Sequence, residues 1–469
     1  MRRGRIERDS LGEREIPADA YYGIQTARAV ENYPISGWRA HHRLIDAYMY
    51  QKKASALANR DAAAVAPRIA EAIAAACDEV LAGGLRDQFV VDVFQAGAGV
   101  SQHMNTNEVL ANRAIELLGG RKGDYATVHP NDHVNFGQST NDTYPTAMRV
   151  SALLCARDLD PVLAALEAAF DAKGKELDHV LKSGRTHLQD AVPVRLGQEF
   201  AAYARAIGRG RTVLKESCRH LSELGLGGTA TGTGLNTASG YREKAIGYLR
   251  DLTGLDLRPS PDMREAMQSC LPMAAVASAL RMIALEVIRI TNDLRLMASG
   301  PATGMAEIIL PAVQPGSSIM PGKVNPAIPE MAAMVGFQVV GGAAVVDYAV
   351  QAGQLELNVM MPVMAFNILT SFEILSTSMA TLRTRCVEGI GADEERCRRY
   401  AGISSGIVTA LNPWIGYALG AEIVKEALAT GRTIPEIVRE KGLLTEEQLE
   451  RILDPFNMTE PGITGKEQR

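Results

Sequence analysis

The sequence predicts an all-α chain built around very long helices, and three observations carry that prediction. Segments of about 25 residues or more repeat their apolar positions at intervals of three and four. No segment of comparable length alternates with the period of two that marks a strand. Alanine is abundant while aromatic residues make up only 5% of the chain, and small side chains let helices approach closely.

The clearest segment is 272–298. Val276, Leu280, Ile283, Val287, Ile290, Leu294 and Met297 follow one another by three or four residues, Pro272 opens the run and Gly300-Pro301 closes it. A helix of that length runs roughly 40 Å. Similar stretches cover about 150–182, 195–224 and 327–385, and Pro161 is expected to kink the first or to split off its first turn. Residues 61–82 read as an Ala-rich helix stopped by Gly83-Gly84, and 105–118 as another stopped by Gly119-Gly120. Residues 434–440 and 445–453 read as short helices separated by Gly442, with Thr445 and Gln448 forming a capping box. The expected organisation is a mainly helical N-terminal domain over 1–140, a long-helix bundle domain over 141–395 and a small helical domain over 396–469. Further apolar faces of the bundle are expected to be buried by other subunits.

Composition narrows the function classes. The 469 residues carry a formal net charge of -5, which argues against a nucleic-acid footprint. The six cysteines include no C-x-x-C pair, so neither a zinc site nor a disulfide framework is indicated, and a reducing compartment fits. The N-terminal run MRRGRIERDSLGEREIP mixes both charges and lacks the apolar core of a signal peptide. No uninterrupted apolar stretch approaches the ~20 residues that span a bilayer. A cytoplasmic protein without membrane, metal or cofactor is the expectation.

Four polar runs interrupt the apolar pattern. Residues 316–326 read GSSIMPGKVNP, with two adjacent hydroxyls, a lysine and an asparagine between glycines and prolines. A flexible hydroxyl beside a fixed cation suits chemistry on a carboxylate, although Ser and Gly also dominate ordinary turns. The run is not a P-loop, since five residues separate Gly316 from Gly322 and Val324 follows Lys323. Nor does GLGGTATGTG at 225–234 make a dinucleotide site, because Ala230 takes the third glycine's place. The other polar runs are GAGVSQHMNTNE at 97–108, HPNDHVNFGQSTND at 129–142 and SGRTHLQD at 183–190. Each alone reads as a cap or a turn, His187 alone as a hydrogen-bonded structural histidine, and Arg185 with Asp190 as an ion pair. Together their hydroxyls, amides and lysine make a pocket suited to a small dicarboxylate or amino acid.

These runs carry a resemblance. The chain resembles the aspartase/fumarase family over essentially its whole length, with GSSIMPGKVNP as the family signature. RIERDSLGEREIPADAYYGIQT, HPNDHVN-x-x-QSTNDTYPTAM, SGRTHLQDAVP, GGTATGTGLNT and LNPWIGY fall in the family's order. The resemblance implies a fumarase/aspartase-like fold and a homotetramer whose active sites draw loops from three subunits. DAYYG, QSTND, LQDAVP and GLLTEEQLERILDPFNMTEPGI lean toward the branch that removes ammonia from L-aspartate. By the same resemblance Ser317 is the general base, Lys323, Asn325 and Thr186 hold the α-carboxylate, and Ser139, Thr140 and Ser318 hold the β-carboxylate. Asn141 and His187 lie near the leaving amine, and Val100 takes the place of a usual threonine. Further departures are Ala302 for arginine, Ala333-Met334 for Asn-Gln and Met361 for glutamate, which make the surroundings less polar. Fumarate hydration, a sister carbon–nitrogen elimination such as trimethylamine release, and a non-enzymatic scaffold are the alternatives.

Overall fold

Five helices of 22 to 37 residues dominate the computed structural model, which describes residues 4–466: Thr140–Glu176, Leu196–Ser217, Leu271–Met297, Ala327–Gln351 and Met361–Arg385. All seven apolar residues of the 272–298 pattern are at most 5% exposed, so the three-four spacing did mark a buried stripe. Strands are short and occur only as two-stranded pairs among the described residues.

The chain divides into two compact units, one made of residues up to 161, 210–285 and 335–376, the other of 162–209, 286–334 and 377 onward. Each long helix contributes residues to both. The first unit also holds the hairpin Arg5–Asp9/Gly12–Ile16 and the helices His42–Asp61, Pro67–Leu81, Val100–Leu117 and Tyr241–Thr253. The second holds the hairpin Leu181–Thr186/Gln189–Arg195 and the C-terminal helices, which close over Leu411, Ile423, Ile437 and Ile452. The Thr445–Gln448 capping box is present in both directions, and Ile434–Glu440 falls where the pattern put it.

Several expectations need correction. Residues 61–82 are the end of one helix and all of the next, because Pro67 sits at the first helical position and holds Ala66 extended. The 150–182 segment begins at Thr140 and runs through Pro145 and Pro161 without splitting; buried Leu159, Leu163, Leu166 and Phe170 pack on either side of the second proline. The 105–118 helix begins at Val100, since Gln102, His103, Asn105, Thr106, Asn107 and Glu108 are all buried and erase the amphipathic signal. The 327–385 stretch is two helices, and 195–224 ends as an α-helix at Ser217. The run at 183–190 is a β-hairpin rather than a turn before a helix.

Three of the long helices, Leu271–Met297, Ala327–Gln351 and Met361–Arg385, are apolar and long enough to cross a membrane by length and composition alone. An occasional charge interrupts each, so none shows as an unbroken apolar run in the sequence. In Ala327–Gln351 the residues Val339, Ala343, Val346 and Ala349 are buried. Phe337, Gly341, Val345 and Tyr348 form a second stripe that is exposed, with Tyr348 71% accessible. A helix apolar on opposite faces needs cover on both. The six cysteines are unpaired and buried, and burial lifts the thiols of Cys155, Cys218, Cys386 and Cys397 to about 12.

Candidate functional site

Val100, Ser139, Thr140 and Asn141 belong to the first unit; Thr186, His187, Ser317, Ser318, Lys323 and Asn325 belong to the second. In the first unit the geometry centres on the start of the 37-residue helix. Ser139 caps it, its Oγ accepting from the Asn141 amide at 3.2 Å. Three residues on, Asp142 Oδ1 accepts from the Ser139 amide at 2.9 Å, closing a capping-box-like ring. The other oxygen, Oδ2, accepts from the amides of Gly227 and Thr229 at 3.0 and 2.9 Å, and the Asn141 amide group donates to the Ala230 carbonyl at 2.9 Å. The glycine-rich 225–234 loop is thus a strap fastened to a helix cap.

Thr140 is the first helical residue and is 9% exposed. Its Oγ1 lies 2.7 Å from His103 Nδ1, and His103 Nε2 lies 2.8 Å from Lys52 Nζ. Lys52 also donates to Asn135 Oδ1 at 2.9 Å and to Gln138 Oε1 at 3.0 Å. Both Lys52 and His103 are fully buried. Burial brings the Lys52 ammonium down to about 7, with Asp142 opposing, while burial and then Lys52 keep the His103 imidazole well below its usual range. Neither residue was singled out from sequence. A signal existed: Ile45, Tyr48, Met49, Lys52, Ser55 and Asn59 share one helical face, and all are buried.

Val100 opens its helix after three residues of positive φ, Gly97 to Gly99. A Cβ on Gly99 would stand 2.0 Å from the Tyr144 ring, so only glycine allows this approach. The Val100 side chain is 41% exposed, an apolar surface where the family resemblance implies a hydroxyl.

In the second unit, His187 and Leu188 form the two-residue tip between paired Thr186 and Gln189, with φ of 55° and 59°. Both being left-handed defines the primed turn that usually takes Asn-Gly, and non-glycine residues there cost about 1 kcal/mol each. Thr186 and His187 are exposed at this tip. Below it the Arg185 guanidinium donates to fully buried Glu307 at 2.7 Å, not to its cross-strand neighbour Asp190 as the sequence had indicated. Lys182 Nζ bridges Glu199 and Glu307 at 2.9 and 3.3 Å. This buried ionic cluster anchors the hairpin that presents Thr186 and His187.

The 316–326 loop closes on itself. The Gly316 amide donates to the Lys323 carbonyl at 2.7 Å, and Asn325 Nδ2 donates to the Gly316 carbonyl at 2.6 Å. A Cβ on Gly316 would meet Asn325 N and Lys323 O at 2.6 Å, which accounts for that glycine. Ser317 Oγ accepts from the amides of Met320 and Ile319 at 2.9 and 3.2 Å. Two amides aimed at one hydroxyl oxygen favour negative charge on it. Ser318, Lys323, Ile319 and Met320 are exposed, and Asn325 is half-buried.

The 129–142 run splits by position. Ser139 to Asp142 build the helix start, whereas His129 and Asn131 line a cavity of about 500 Å³ with Arg8, Arg28 and Tyr125. Among the described residues, His41, His42 and Glu373 bring potential metal-ligating atoms within 4.8 Å of one another. The two imidazoles are stacked at 4.3 Å and 28°, and His41 Nε2 lies 3.2 Å from a Glu373 carboxylate oxygen.

A long-helix scaffold that places hydroxyls, amides and a lysine at helix starts and turns defines a lyase of the fumarase/aspartase superfamily, and the chain belongs to that family. A family model described as lyase matches residues 12–341, and one described as fumarase C C-terminus matches 407–460. More particularly, the chain is 48% identical to the aspartate ammonia-lyase of Bacillus subtilis over 463 residues, 99% of this chain and 98% of that protein. Among solved structures it is similar to a fumarate lyase:delta crystallin from Brucella melitensis bound to cobalt, with a TM-score of 0.94 and 49% identity over 98% of this chain and all of that one. A class II fumarase from Schistosoma mansoni matches with a TM-score of 0.95 at 36% identity, over 97% of this chain and 99% of that one.

Asp142 yields a prediction about pH. Burial outweighs its three amide donors and Lys52 and lifts its carboxyl from 3.8 to about 6. Between those values the folded chain keeps a proton that the unfolded chain has released, so this group's contribution to stability falls as pH rises through the window. Calorimetry at pH 4 and pH 6.5 is expected to show wild type losing Tm relative to Asp142→Asn as the pH is raised. An offset that stays constant would refute the buried, raised carboxyl.

Proposed function

We propose that this chain catalyses the reversible deamination of L-aspartate to fumarate and ammonia. The observation that carries the proposal is its full-length similarity, at 46–48% identity, to proteins named aspartate ammonia-lyase. The amide-bound Ser317 hydroxyl gives that reading a chemical basis. Ser317 as alkoxide takes the proton from the carbon beside the β-carboxylate. The C–H electron pair enters that carboxylate, which becomes an aci-carboxylate dianion. Collapse of the dianion forms the carbon–carbon double bond and breaks the C–N bond, and the amine departs as ammonia.

Each nominated residue has a place in this scheme. The Ile319 and Met320 amides and the Lys323 charge lower the cost of the alkoxide. Ser139, Thr140 and Ser318 donate to the β-carboxylate, where charge accumulates, and preorganised donors at such a position are worth roughly 3–4 kcal/mol each. Lys323, Asn325 and Thr186 grip the α-carboxylate, and Asn141 and His187 attend the leaving amine. The scheme needs no cofactor. We assign the functional chain to the cytoplasm as a homotetramer with shared active sites. Support comes from the exposed Phe337–Tyr348 stripe, which self-association would cover.

A sister lyase or hydratase is the second reading. The half-exposed apolar Val100 and fully buried Met361 favour it, as does the likeness to a class II fumarase.

Ser317→Ala is expected to lower turnover of L-aspartate roughly 10²–10⁴-fold with unchanged circular dichroism; near-normal fumarate absorbance would remove the serine from the role of base. Val100→Thr adds a hydroxyl beside the amine and should raise aspartate turnover, whereas a loss would shift the reading to the sister activities. Tyr348→Asp places a charge on the apolar stripe and should yield species smaller than a tetramer by mass photometry. An intact tetramer would exclude that stripe from the interface.

A further inference from the structure

We propose that Lys52 and His103 are positioning residues that aim the hydroxyl proton of Thr140 at the substrate carboxylate. The inference rests on Thr140 being a carboxylate donor, as proposed above, and extends it inward by two buried side chains.

Proton direction follows from counting donors. The Asn135 amide nitrogen donates to the Gln138 carbonyl, and the Gln138 amide nitrogen donates to the carbonyls of Val134 and Phe136. Both amide oxygens are therefore turned toward Lys52 Nζ. An ammonium has three protons and no lone pair. Two go to Asn135 Oδ1 and Gln138 Oε1, and the third goes to His103 Nε2 at 2.8 Å. The Thr143 hydroxyl, 3.4 Å from Nε2, gives its own proton to the Ser139 carbonyl at 2.8 Å. With Nε2 accepting, the neutral ring carries its hydrogen on Nδ1, and that N–H donates to Thr140 Oγ1 at 2.7 Å. Thr140 then accepts from behind and keeps its own O–H free for a ligand. In the opposite tautomer, Nδ1 would accept the threonine proton and the carboxylate would lose a donor. Burial of all three groups keeps water from scrambling the chain.

The mechanism makes the effect fall mainly on kcat. A donor to the β-carboxylate strengthens as the dianion forms, so misdirecting it weakens the transition state more than the ground state. The test combines neutron diffraction on deuterium-exchanged wild-type crystals with kinetics of two variants, both at pH 6. At that pH Lys52, held at about 7, retains its proton. The map is expected to place deuterium on His103 Nδ1 and none on Nε2; deuterium on Nε2 overturns the proposal. His103→Leu is expected to lower kcat for L-aspartate roughly 10- to 100-fold with a smaller change in KM. His103→Asn, whose amide N–H replaces Nδ1–H, should recover most of it. Equal kcat in a folded His103→Leu enzyme and wild type overturns the proposal, as does failure of His103→Asn to exceed His103→Leu. Wild type inactive on L-aspartate would instead overturn the functional reading, while the neutron map decides the tautomer on its own.

Discussion

Amide hydrogens that helix starts and turns leave unpaired are what the oxygens of Asp142 and Ser317 draw on. Inside a helix every amide is spent on the carbonyl four residues back, so a scaffold of long helices holds its free donors at the ends. The nominated residues follow that rule. Val100 opens one helix, Ser139 to Asn141 open another, Thr186 and His187 form a hairpin tip, and Ser317 to Asn325 precede the helix starting at Ala327. The buried carboxylate of Asp142 uses the same resource in reverse, taking three amides to join a helix cap to a distant loop.

How much of this was legible in the sequence depended on what each residue faces. The stripe from Val276 to Met297 could be read because every member is apolar and buried. The start of the Val100–Leu117 helix could not, since its buried face is largely polar and periodicity measures hydrophobicity alone. The 183–190 hairpin is too short and too polar to show alternation, and its turn lacks the Asn-Gly that would have announced it. Composition alone separated Ser317 from an ordinary turn serine poorly; the family resemblance nominated it, and the two amides on its oxygen are visible only in coordinates. Lys52 is the instructive omission. A lysine on a buried face with Ile45, Tyr48 and Met49 implies buried acceptors, and the helical periodicity that places it there is in the sequence.

The long helices also show why apolar content overstates what one chain buries. The Ala327–Gln351 helix hides Val339, Ala343 and Val346 yet leaves Phe337, Val345 and Tyr348 open. Read as a single chain, such a helix resembles a membrane span by length and hydropathy. The two explanations differ in what covers the second face, lipid or protein, and the buried ion pairs of Glu307 with Lys182 and Arg185 belong to a lyase scaffold of this superfamily.

The six sequestered thiols have a practical corollary. Nucleophilic sulfur requires a thiolate, and burial lifts even Cys270 to about 11. Burial therefore slows alkylating reagents and mild oxidants at these thiols in the native fold. As the chain opens, each exposed thiol becomes reactive, so the rate of covalent labelling becomes a built-in clock for unfolding that needs no engineered probe.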